Sequence, residues 1–401
     1  MKMVMKYAFL VGDGMSDYPL AELGGKTPLE YARIPNMDRL AARGRLGRIL
    51  TIPEGMAPGS DVANLALLGY DPSVSYSGRG PIEAASLGVK LDEDDTAFRC
   101  NLVTLRDGRM VDYSSGHITT EESRRLILEL QPILNSERIR FFPGISYRHL
   151  TVIKDFPKGL AATPPHDISG RPFESHLPQG PGSDLILSLM ARARPVLASS
   201  EVNRLRVAAG LSPASDIWLW GQGRAMKLRT LEARFGLRGS VISAVDLING
   251  LGVLAGLRVR RVAGATGYLG TNYAGKVAAA RAALAEEDFV YLHVEAPDET
   301  GHEGVAAKKI QAIEEFDRNI VGEILKLADE IGELRIIVAP DHATPLSTMT
   351  HAADPVPYAV CGPSVEPGGI FRYSEAAAAN EPLESAVSLF ERFILGTWPS
   401  S

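Results

Sequence analysis

Short apolar runs that alternate with helix-type patterns constrain the fold of this 401-residue chain more than any other feature. Tyr7–Val11, Phe289–Val294 and Leu334–Val338 have the length and composition of buried strands. Between the last two, apolar residues at helical spacing predict a long amphipathic helix: Ile310, Ile313, Phe316, Ile320, Ile324 and Ile331. A strand, a helix and a second strand form a βαβ unit with a right-handed crossover. The sequence therefore predicts an α/β fold with a mainly parallel sheet between helices.

The middle of the chain differs in charge from its flanks. Residues 106–206 hold twelve arginines and two lysines against eleven acidic residues, a net charge of +3 in a chain of net charge −6. This region also contains proline-rich breaks and fewer long apolar runs. We predict a discontinuous core domain, 1–105 and 216–401, with a smaller α/β domain inserted at 106–215. The alternative is a solvated arginine-rich surface on a single domain.

Composition excludes several classes of protein. Cys100 and Cys361 form no CxxC pair, which favours reduced thiols and a cytoplasmic location. The apolar run Tyr7–Val11 is too short for a signal peptide, and no run approaches the roughly 18 apolar residues of a membrane span. The acidic net charge argues against a nucleic-acid partner.

Aspartates and histidines follow the predicted strands at the points where those strands end. These residues are Asp13, Asp298, His302, Asp341, His342 and, nine residues further on, His351. The carboxyl ends of parallel strands meet at one edge of a sheet, where ligands bind. Taken singly, each residue also has an ordinary explanation as a turn, a cap or a surface contact. Their coincidence at three strand ends favours a metal site, and mixed oxygen and nitrogen donors suit Mn²⁺ or Zn²⁺, with Mg²⁺ and Co²⁺ as alternatives.

Ser60 lies between a Pro-Gly turn and a predicted helix in PGSDVANLALLGYDP. It is either the N-cap of that helix or a nucleophile activated by a metal and by the positive end of the helix dipole. A Ser-His-Asp hydrolase fits poorly, because the chain has no GxSxG elbow. The segment Gly12-Asp13-Gly14 has neither a Walker lysine nor GxGxxG spacing, so it is no nucleotide loop.

An ordered set of motifs resembles the alkaline phosphatase superfamily and, within it, is similar to the archaeal-type cofactor-independent phosphoglycerate mutases. The motifs are LVGDGMSD, GKTPLEYARIPNMDRLAARG, PGSDVANLALLGYDP, GRGPIEAA, DETGHEG and DHATP, followed by His351. The resemblance implies an alkaline-phosphatase-like fold with two divalent metal ions, Mn²⁺ first among the candidates. It assigns one ion to Asp298, His302 and His351, and the other to Asp13, Ser60, Asp341 and His342.

The same resemblance implies an activity and a substrate. Ser60 is phosphorylated by the substrate, and the phosphate returns to the neighbouring hydroxyl of the glycerate, which interconverts 2- and 3-phosphoglycerate. Lys276 matches a family lysine near the phosphate, although a solvated helix lysine is the alternative. His117, His166 and Asp167 fall where the family keeps substrate contacts, so 106–215 is expected to bind the phosphorylated hydroxy acid. We expect His117, Asp167 and the arginines of residues 106–206 to face Ser60 across a cleft.

Two positions depart from the archaeal pattern. His117 and Trp220 stand where those mutases carry an arginine, and the segment WLWGQG resembles a bacterial subgroup proposed to act as homoserine kinase. A phosphotransferase acting on homoserine is therefore an alternative, as is a metal-dependent phosphatase. A non-catalytic binding protein fits less well, because every matched ligand position keeps a metal-binding residue type.

Overall fold

The computed structural model describes residues 5–398, which form two compact units. Unit 1 comprises the chain up to Tyr76 and from Lys227 onward, and unit 2 is Ser77–Met226. The segment 106–215 lies inside unit 2, but the compact unit extends beyond it at both ends. The physical reason is pairing within one sheet: the strand at 95–106 bonds to the strand at 216–224, with Leu102 opposite Ile217, so neither belongs to the other unit.

The wider unit is also less basic than the predicted segment. Residues 77–226 hold fifteen arginines and three lysines against seventeen acidic residues, a net charge of +1. The difference arises mainly from the acidic stretch Asp92–Asp95, which precedes the long strand of unit 2.

The bounds of the strands follow in chain order. They are β1 (Lys6–Gly12), β2 (Arg45–Leu50), β3 (Asp95–Arg106), β4 (Arg109–Asp112), β5 (Ile139–Ile145), β6 (Arg148–Lys154), β7 (Asp216–Arg224), β8 (Gly239–Ile242), β9 (Arg258–Val259), β10 (Phe289–Val294), β11 (Leu334–Ala339), β12 (Val356–Cys361) and β13 (Leu383–Ser385).

The α-helices connect these strands and cover their faces. They are α1 (Pro28–Tyr31), α2 (Pro35–Arg43), α3 (Ser60–Leu67), α4 (Pro72–Ser75), α5 (Arg79–Ser86), α6 (Thr120–Leu134), α7 (Ser183–Ser199), α8 (Glu201–Ala208), α9 (Leu231–Phe235), α10 (Asp246–Leu254), α11 (Tyr273–Glu286), α12 (Ala296–His302), α13 (Ala306–Phe316), α14 (Gly322–Ile331), α15 (Glu375–Ala378) and α16 (Ala386–Leu395). A π-helical turn, Asp317–Val321, joins α13 to α14. None of the helices in residues 5–398 is long and apolar enough to span a bilayer.

Unit 1 is built on a sheet of order β13-β2-β12-β11-β1-β10-β8-β9. Its centre, from β11 through β1 and β10 to β8, is parallel, whereas β12 is antiparallel to both of its neighbours. The predicted α/β class with a mainly parallel sheet is thus confirmed. The carboxyl ends of β1, β10 and β11 lie side by side, because Val11 pairs with both His293 and Ala339.

Apolar side chains on both faces of this sheet explain the uninterrupted apolar runs. Ala8 and Leu10 of β1 belong to a core formed with α2, α11, α13 and α14. On the opposite face, Phe9 packs against Phe390 and Phe393 of α16, with ring centroids 6.4 and 5.9 Å apart. Burial on both faces is typical of parallel strands covered by helices.

Unit 2 is built on an antiparallel sheet with its own core. β3 pairs with β6 and β7, β6 also pairs with β5, and β4 pairs with the end of β3. The helices α6 and α7 pack against this sheet, burying Leu126, Leu130 and Leu189. Arg99 and Trp220 of unit 2 lie opposite each other on the paired strands β3 and β7, whereas His117, His166 and Asp167 lie outside its strands.

Candidate active site

The strand ends of unit 1 bring their polar residues to one place. Asp13 directly follows β1, Asp298 lies in α12 just after β10, and Asp341 and His342 follow β11. Gly14 allows the loops to meet: it has φ +60°, and a Cβ there would stand 2.6 Å from Asp298 Oδ1 and 2.8 Å from Asp298 Cα. Only glycine tolerates both this conformation and this approach.

One group of side chains surrounds Asp298. His302 Nε2 lies 3.2 Å from Asp298 Oδ2, His351 Nε2 lies 3.5 Å from Asp298 Oδ1, and the two Nε2 atoms are 3.1 Å apart. His302 Nδ1 lies 2.9 Å from the carbonyl oxygen of Met349. A carbonyl only accepts, so Nδ1 carries a hydrogen and Nε2 is the atom that faces the group. The structure therefore brings the three residues of the first predicted metal site together.

A second group surrounds Ser60. Its Oγ lies 3.2 Å from His342 Nε2, which is 3.5 Å from Asp13 Oδ1 and 3.5 Å from Asp341 Oδ2. Ser60 is the first residue of α3, while Gly59 is the N-cap and no side chain caps the helix. The N-cap explanation for Ser60 is thus wrong, and its hydroxyl is directed at the imidazole instead.

The hydrogen bonds around Thr344 fix the tautomer of His342. The Thr344 hydroxyl donates to Asp298 Oδ1, and it has one hydrogen to give, so His342 Nδ1, 3.3 Å away, is the donor to Thr344 Oγ1. Burial lowers the pKa of His342, which favours the neutral ring. Its Nε2 therefore presents a lone pair to Ser60 and to the carboxylates.

Acceptor atoms converge here in a way that suits a cation. Asp13 Oδ1 is buried without a hydrogen bond and faces the lone pair of His342 Nε2. Burial, together with the negative charges of Asp341, Asp298 and Glu295, raises the pKa of Asp13 well above its ordinary value. A divalent ion relieves both the repulsion and the unpaired oxygen, so the donor set fits Mn²⁺ or Zn²⁺.

The boundary between the two predicted ligand sets is less sharp than the sequence suggests. His342 groups with Asp13 and Asp341, but also with Asp298 and His351, with ligand atoms within 4.8 Å of one another in each set. The rings of His342 and His351 lie 4.3 Å apart. The two groups are therefore adjacent, with His342 between them.

Protonation differs across the cluster. Burial alone would raise the pKa of Asp298, but hydrogen bonds from His302 and His351 hold it well below its ordinary value. The hydrogen bond to Asp298 raises the pKa of His302 to about 9. In the protein alone, His302 is therefore a cation that compensates Asp298, and it would have to lose its Nε2 proton in order to hold a metal ion.

Sequence reasoning missed three residues of this site, two of them buried and one, Glu295, half-buried. His293 Nε2 lies 3.0 Å from Asp13 Oδ2, and His293, Asp13 and Glu295 form a third group of close ligand atoms. Asn64 donates from Nδ2 to Asp341 Oδ2 at 2.7 Å and to the Ser60 carbonyl at 2.8 Å. Glu295 directly follows β10, so the rule applied to the other strand ends would have found it.

Lys276 is buried at the side of this cluster rather than solvated on its helix. Its Nζ donates to the His293 carbonyl at 2.9 Å, and its exposed fraction is 1%. Burial lowers the pKa of Lys276 to about 8, and the negative charge of Glu295 opposes that shift.

The remaining predicted site residues lie in unit 2. His166 packs edge-on against Trp220 and Tyr113, with ring centroids 5.3 and 6.1 Å away, and its Nε2 is 3.5 Å from Asp167 Oδ1. His117 is exposed, has φ +48°, and lies 6.3 Å from the Tyr147 ring. These rings form a continuous aromatic cluster.

Arginines accompany this aromatic cluster, and one of them, Arg148, belongs to the 106–206 segment: its guanidinium carbon lies 5.7 Å from the centroid of the Tyr147 ring. Arg99 and Arg79 lie over the Trp220 ring, with their guanidinium carbons 4.6 and 5.8 Å from its centroid, and both precede residue 106. Burial lowers the pKa of Arg99 to about 10, Glu83 opposes this, and the positive charges of Arg79 and Arg148 add to it. Within the 106–206 segment, Arg206 is instead bound to Glu122.

Comparisons with known proteins agree over nearly the whole chain. A family model described as 2,3-bisphosphoglycerate-independent phosphoglycerate mutase matches residues 41–203. A protein of that name from Methanosarcina acetivorans is 51% identical over 379 residues, which cover 94% of this chain and 96% of the relative. A probable enzyme of the same name from Geobacter sulfurreducens is 50% identical over 384 residues, with the same two coverages.

Solved structures show the same likeness. A protein from Pyrococcus horikoshii has a TM-score of 0.82 at 28% identity and covers 99% of both chains. The cofactor-independent phosphoglycerate mutase of Thermoplasma acidophilum has a TM-score of 0.66 at 25% identity, covering 98% of this chain and 99% of its own.

Proposed function

This chain belongs to the 2,3-bisphosphoglycerate-independent phosphoglycerate mutase family, a family of isomerases, and we propose that it interconverts 2- and 3-phosphoglycerate through a phosphoserine at Ser60. Membership confirms the resemblance drawn from the sequence motifs. The observation that carries the proposal is the Ser60 hydroxyl, 3.2 Å from a neutral His342 inside a cluster of carboxylates and histidines.

The chemistry of the nucleophile follows from its surroundings. Ser60 Oγ loses its proton and attacks the phosphorus, the Oγ–P bond forms as the bond from phosphorus to the glycerate oxygen breaks, and that oxygen takes up one proton in exchange. In the second half-reaction the neighbouring hydroxyl loses its proton and attacks the phosphoserine, the Oγ–P bond breaks, and Ser60 Oγ takes up a proton. The N-terminus of α3 adds the positive end of its dipole to the phosphorylated serine.

Two divalent ions are proposed for the adjacent groups. Asp298, His302 and His351 would hold one, and Asp13, Ser60, Asp341 and His342 the other. Bound there, such ions supply Lewis-acid stabilisation of the serine alkoxide and of the charge on the phosphoryl group. Lys276 adds a buried positive charge beside Glu295, which suits a residue near the phosphate.

Unit 2 supplies what a phosphorylated hydroxy acid requires beyond its phosphate. We assign substrate binding to the cluster of His117, His166, Asp167 and Trp220 with its arginines. Guanidinium groups on an aromatic platform suit a carboxylate, and the histidines and Asp167 suit a hydroxyl. The two cysteines are buried and free, which agrees with a cytoplasmic location.

A substrate screen followed by ³¹P NMR tests the proposal. Purified protein with Mn²⁺ and 3-phosphoglycerate should accumulate 2-phosphoglycerate without 2,3-bisphosphoglycerate, and little inorganic phosphate should appear. Release of phosphate faster than isomerisation would identify a phosphatase. Formation of phosphohomoserine from homoserine and a phosphate donor, with phosphoglycerate left unchanged, would identify the kinase alternative.

A further inference from the structure

Lys309 is a fully buried cation that none of the proposed chemistry uses. It lies in α13, its side chain is inaccessible to solvent, and it pairs with Asp17, whose side chain is equally buried, at 2.7 Å. Burying two charges costs free energy unless the geometry satisfies them fully. A fully buried ion pair therefore needs further hydrogen bonds, and those bonds identify the parts of the chain that it connects.

The three hydrogens of the ammonium group are all used. Besides Asp17 Oδ2, Lys309 Nζ donates to the carbonyl oxygen of Ser16 at 3.0 Å and to that of Thr344 at 2.8 Å. Asp17 in turn accepts from the backbone N–H of Leu346 at 3.2 Å. One buried pair thus fastens the loop after β1 to the loop after β11.

These two loops carry four of the seven predicted metal ligands: Asp13, Asp341, His342 and His351. Asp13 lies three residues before Ser16, while Asp341 and His342 precede Thr344. Thr344 extends the connection, because its hydroxyl contacts both Asp298 and His342 Nδ1. A shift of the Thr344 backbone would therefore move the atoms that orient ligands of both groups.

We propose that Lys309, through Asp17, is a positioning residue that sets the spacing of the two predicted metal-ligand groups. Its three hydrogen-bond partners, Asp17 and the Ser16 and Thr344 carbonyls, are none of the predicted ligands, and its effect passes through those two carbonyls. The inference rests on the proposed metal site. Loss of such supporting contacts typically costs about 10- to 100-fold in metal affinity or activity.

Arg335 provides a matched control. It is likewise a buried cation of unit 1 that donates to backbone carbonyls, those of Pro363 and Phe393, and its exposed fraction is 3%. It lies near the start of β11, at the opposite end of that strand from Asp341. Lys309→Met and Arg335→Met therefore remove comparable cations, and only the first touches the ligand loops.

The readouts are Mn²⁺ affinity by calorimetry and the absorption spectrum with Co²⁺ alone, beside urea unfolding. We expect both variants to lose stability. Lys309→Met should weaken Mn²⁺ binding by about tenfold or more and change the Co²⁺ bands, while Arg335→Met should leave both near wild type. The double variant Lys309→Met/Asp17→Asn removes the uncompensated carboxylate, so it should recover stability without recovering the Co²⁺ spectrum.

The outcomes separate this inference from the proposed function. Unchanged Mn²⁺ affinity and Co²⁺ bands in Lys309→Met or, if that variant does not fold, in the double variant would overturn the positioning role. Failure of the wild type to isomerise phosphoglycerate while still binding Mn²⁺ would overturn the mutase assignment, yet leave the Lys309 measurement valid. A wild type that binds no divalent ion would overturn both.

Discussion

The two units of this protein place their polar residues by different rules. In unit 1, a parallel sheet delivers Asp13, Asp298 and Asp341 to one edge, because each follows a neighbouring parallel strand. In unit 2, an antiparallel sheet presents Arg99 and Trp220 on neighbouring strands, opposite each other in the register of β3 and β7. The first arrangement can be inferred from the residues that follow each predicted strand. The second depends on the register between two paired strands, which the sequence does not show.

The chemistry of the two clusters differs accordingly. Unit 1 gathers carboxylates and imidazoles, whose mutual repulsion a cation relieves. Unit 2 gathers guanidinium groups and aromatic rings, and one of these guanidinium groups, that of Arg99, is paired with the Glu83 carboxylate at 3.4 Å. We infer a division of labour in which unit 1 carries the phosphoryl transfer and unit 2 selects the substrate.

The largest expected effect follows from replacing the nucleophile. Ser60→Ala should lower kcat for isomerisation by roughly 10⁴-fold or more, because no other group takes up the phosphoryl. Ser385→Ala is the control, since Ser385 caps α16 through its hydroxyl and lies outside the cluster. Enolase-coupled assays at saturating Mn²⁺ measure both variants. Substantial turnover by Ser60→Ala would show that Ser60 is not the nucleophile.

Removal of divalent metal should affect unit 1 more than unit 2, and this is the second largest effect expected. Dialysis against EDTA should abolish isomerisation and Mn²⁺ should restore it. A ligand at a hundredfold excess over its Kd stabilises the folded state by about 2.7 kcal/mol. Hydrogen–deuterium exchange should therefore increase in residues 341–352 of unit 1 on metal removal, with little change in β6 of unit 2. Equal changes in both units would contradict a metal site confined to unit 1.

The parallel sheet and five of the predicted ligand residues were accessible from sequence because buried strands and the residues after them are local features, whereas Ser60 and His351 were assigned as ligands through the resemblance of the motifs. Glu295 was equally accessible at the end of β10. His293 was harder to find, because it lies inside the apolar run of β10 and only the pairing of Val11 with it shows which strand end it faces.

Unit 2 was less predictable for a physical reason. Net charge over a segment does not indicate which arginines are already neutralised: Arg194 and Arg206 are paired with Asp216 and Glu122. Around the aromatic cluster, Arg79 and Arg99 precede the predicted border at 106 whereas Arg148 follows it, and Arg99 is itself paired with Glu83 at 3.4 Å. Only the pairing of β3 with β7 brings those segments together.

A substitution in unit 2 should separate substrate binding from catalysis. Arg99→Met removes a buried guanidinium beside Trp220, and a charge-assisted hydrogen bond contributes about 1.5–3 kcal/mol. We expect KM for 3-phosphoglycerate to rise by about tenfold or more, with Mn²⁺ affinity unchanged. Arg206→Met is the matched control, because Arg206 is a buried arginine of unit 2 whose partner is Glu122. Equal KM changes in both variants would indicate a general loss of folding instead.

The smallest expected effect is a pH dependence of stability in unit 2, which arises from the buried His149; His293 of unit 1 is the comparison. Burial lowers the pKa of His149 in unit 2 to about 3 and that of His293 in unit 1 to about 4. The negative charges of Asp341 and Asp298 oppose the lowering of the His293 pKa, whereas burial is the cause that lowers the pKa of His149. Its Nδ1 accepts from the Gly144 N–H at 3.0 Å, and its Nε2 has no hydrogen-bond partner in the described part of the chain.

The sign of the pH effect follows from these directions. Because the pKa of His149 is depressed in the folded state, its contribution to the free energy of unfolding is complete above about pH 6.5. That contribution decreases as the pH falls toward 3. Each pH unit in that window costs about 1.4 kcal/mol for one such group, so unit 2 should lose about 2 kcal/mol between pH 6.5 and 5. His149→Asn keeps an acceptor for Gly144 without titrating, so it should flatten this dependence. Urea unfolding followed by tryptophan fluorescence measures this dependence in a Trp398→Phe background, in which the remaining tryptophans, Trp218 and Trp220, both lie in unit 2. His176→Asn, at a half-buried position, is the control. A pH dependence unchanged by His149→Asn would place the acid sensitivity of unit 2 in its carboxylates.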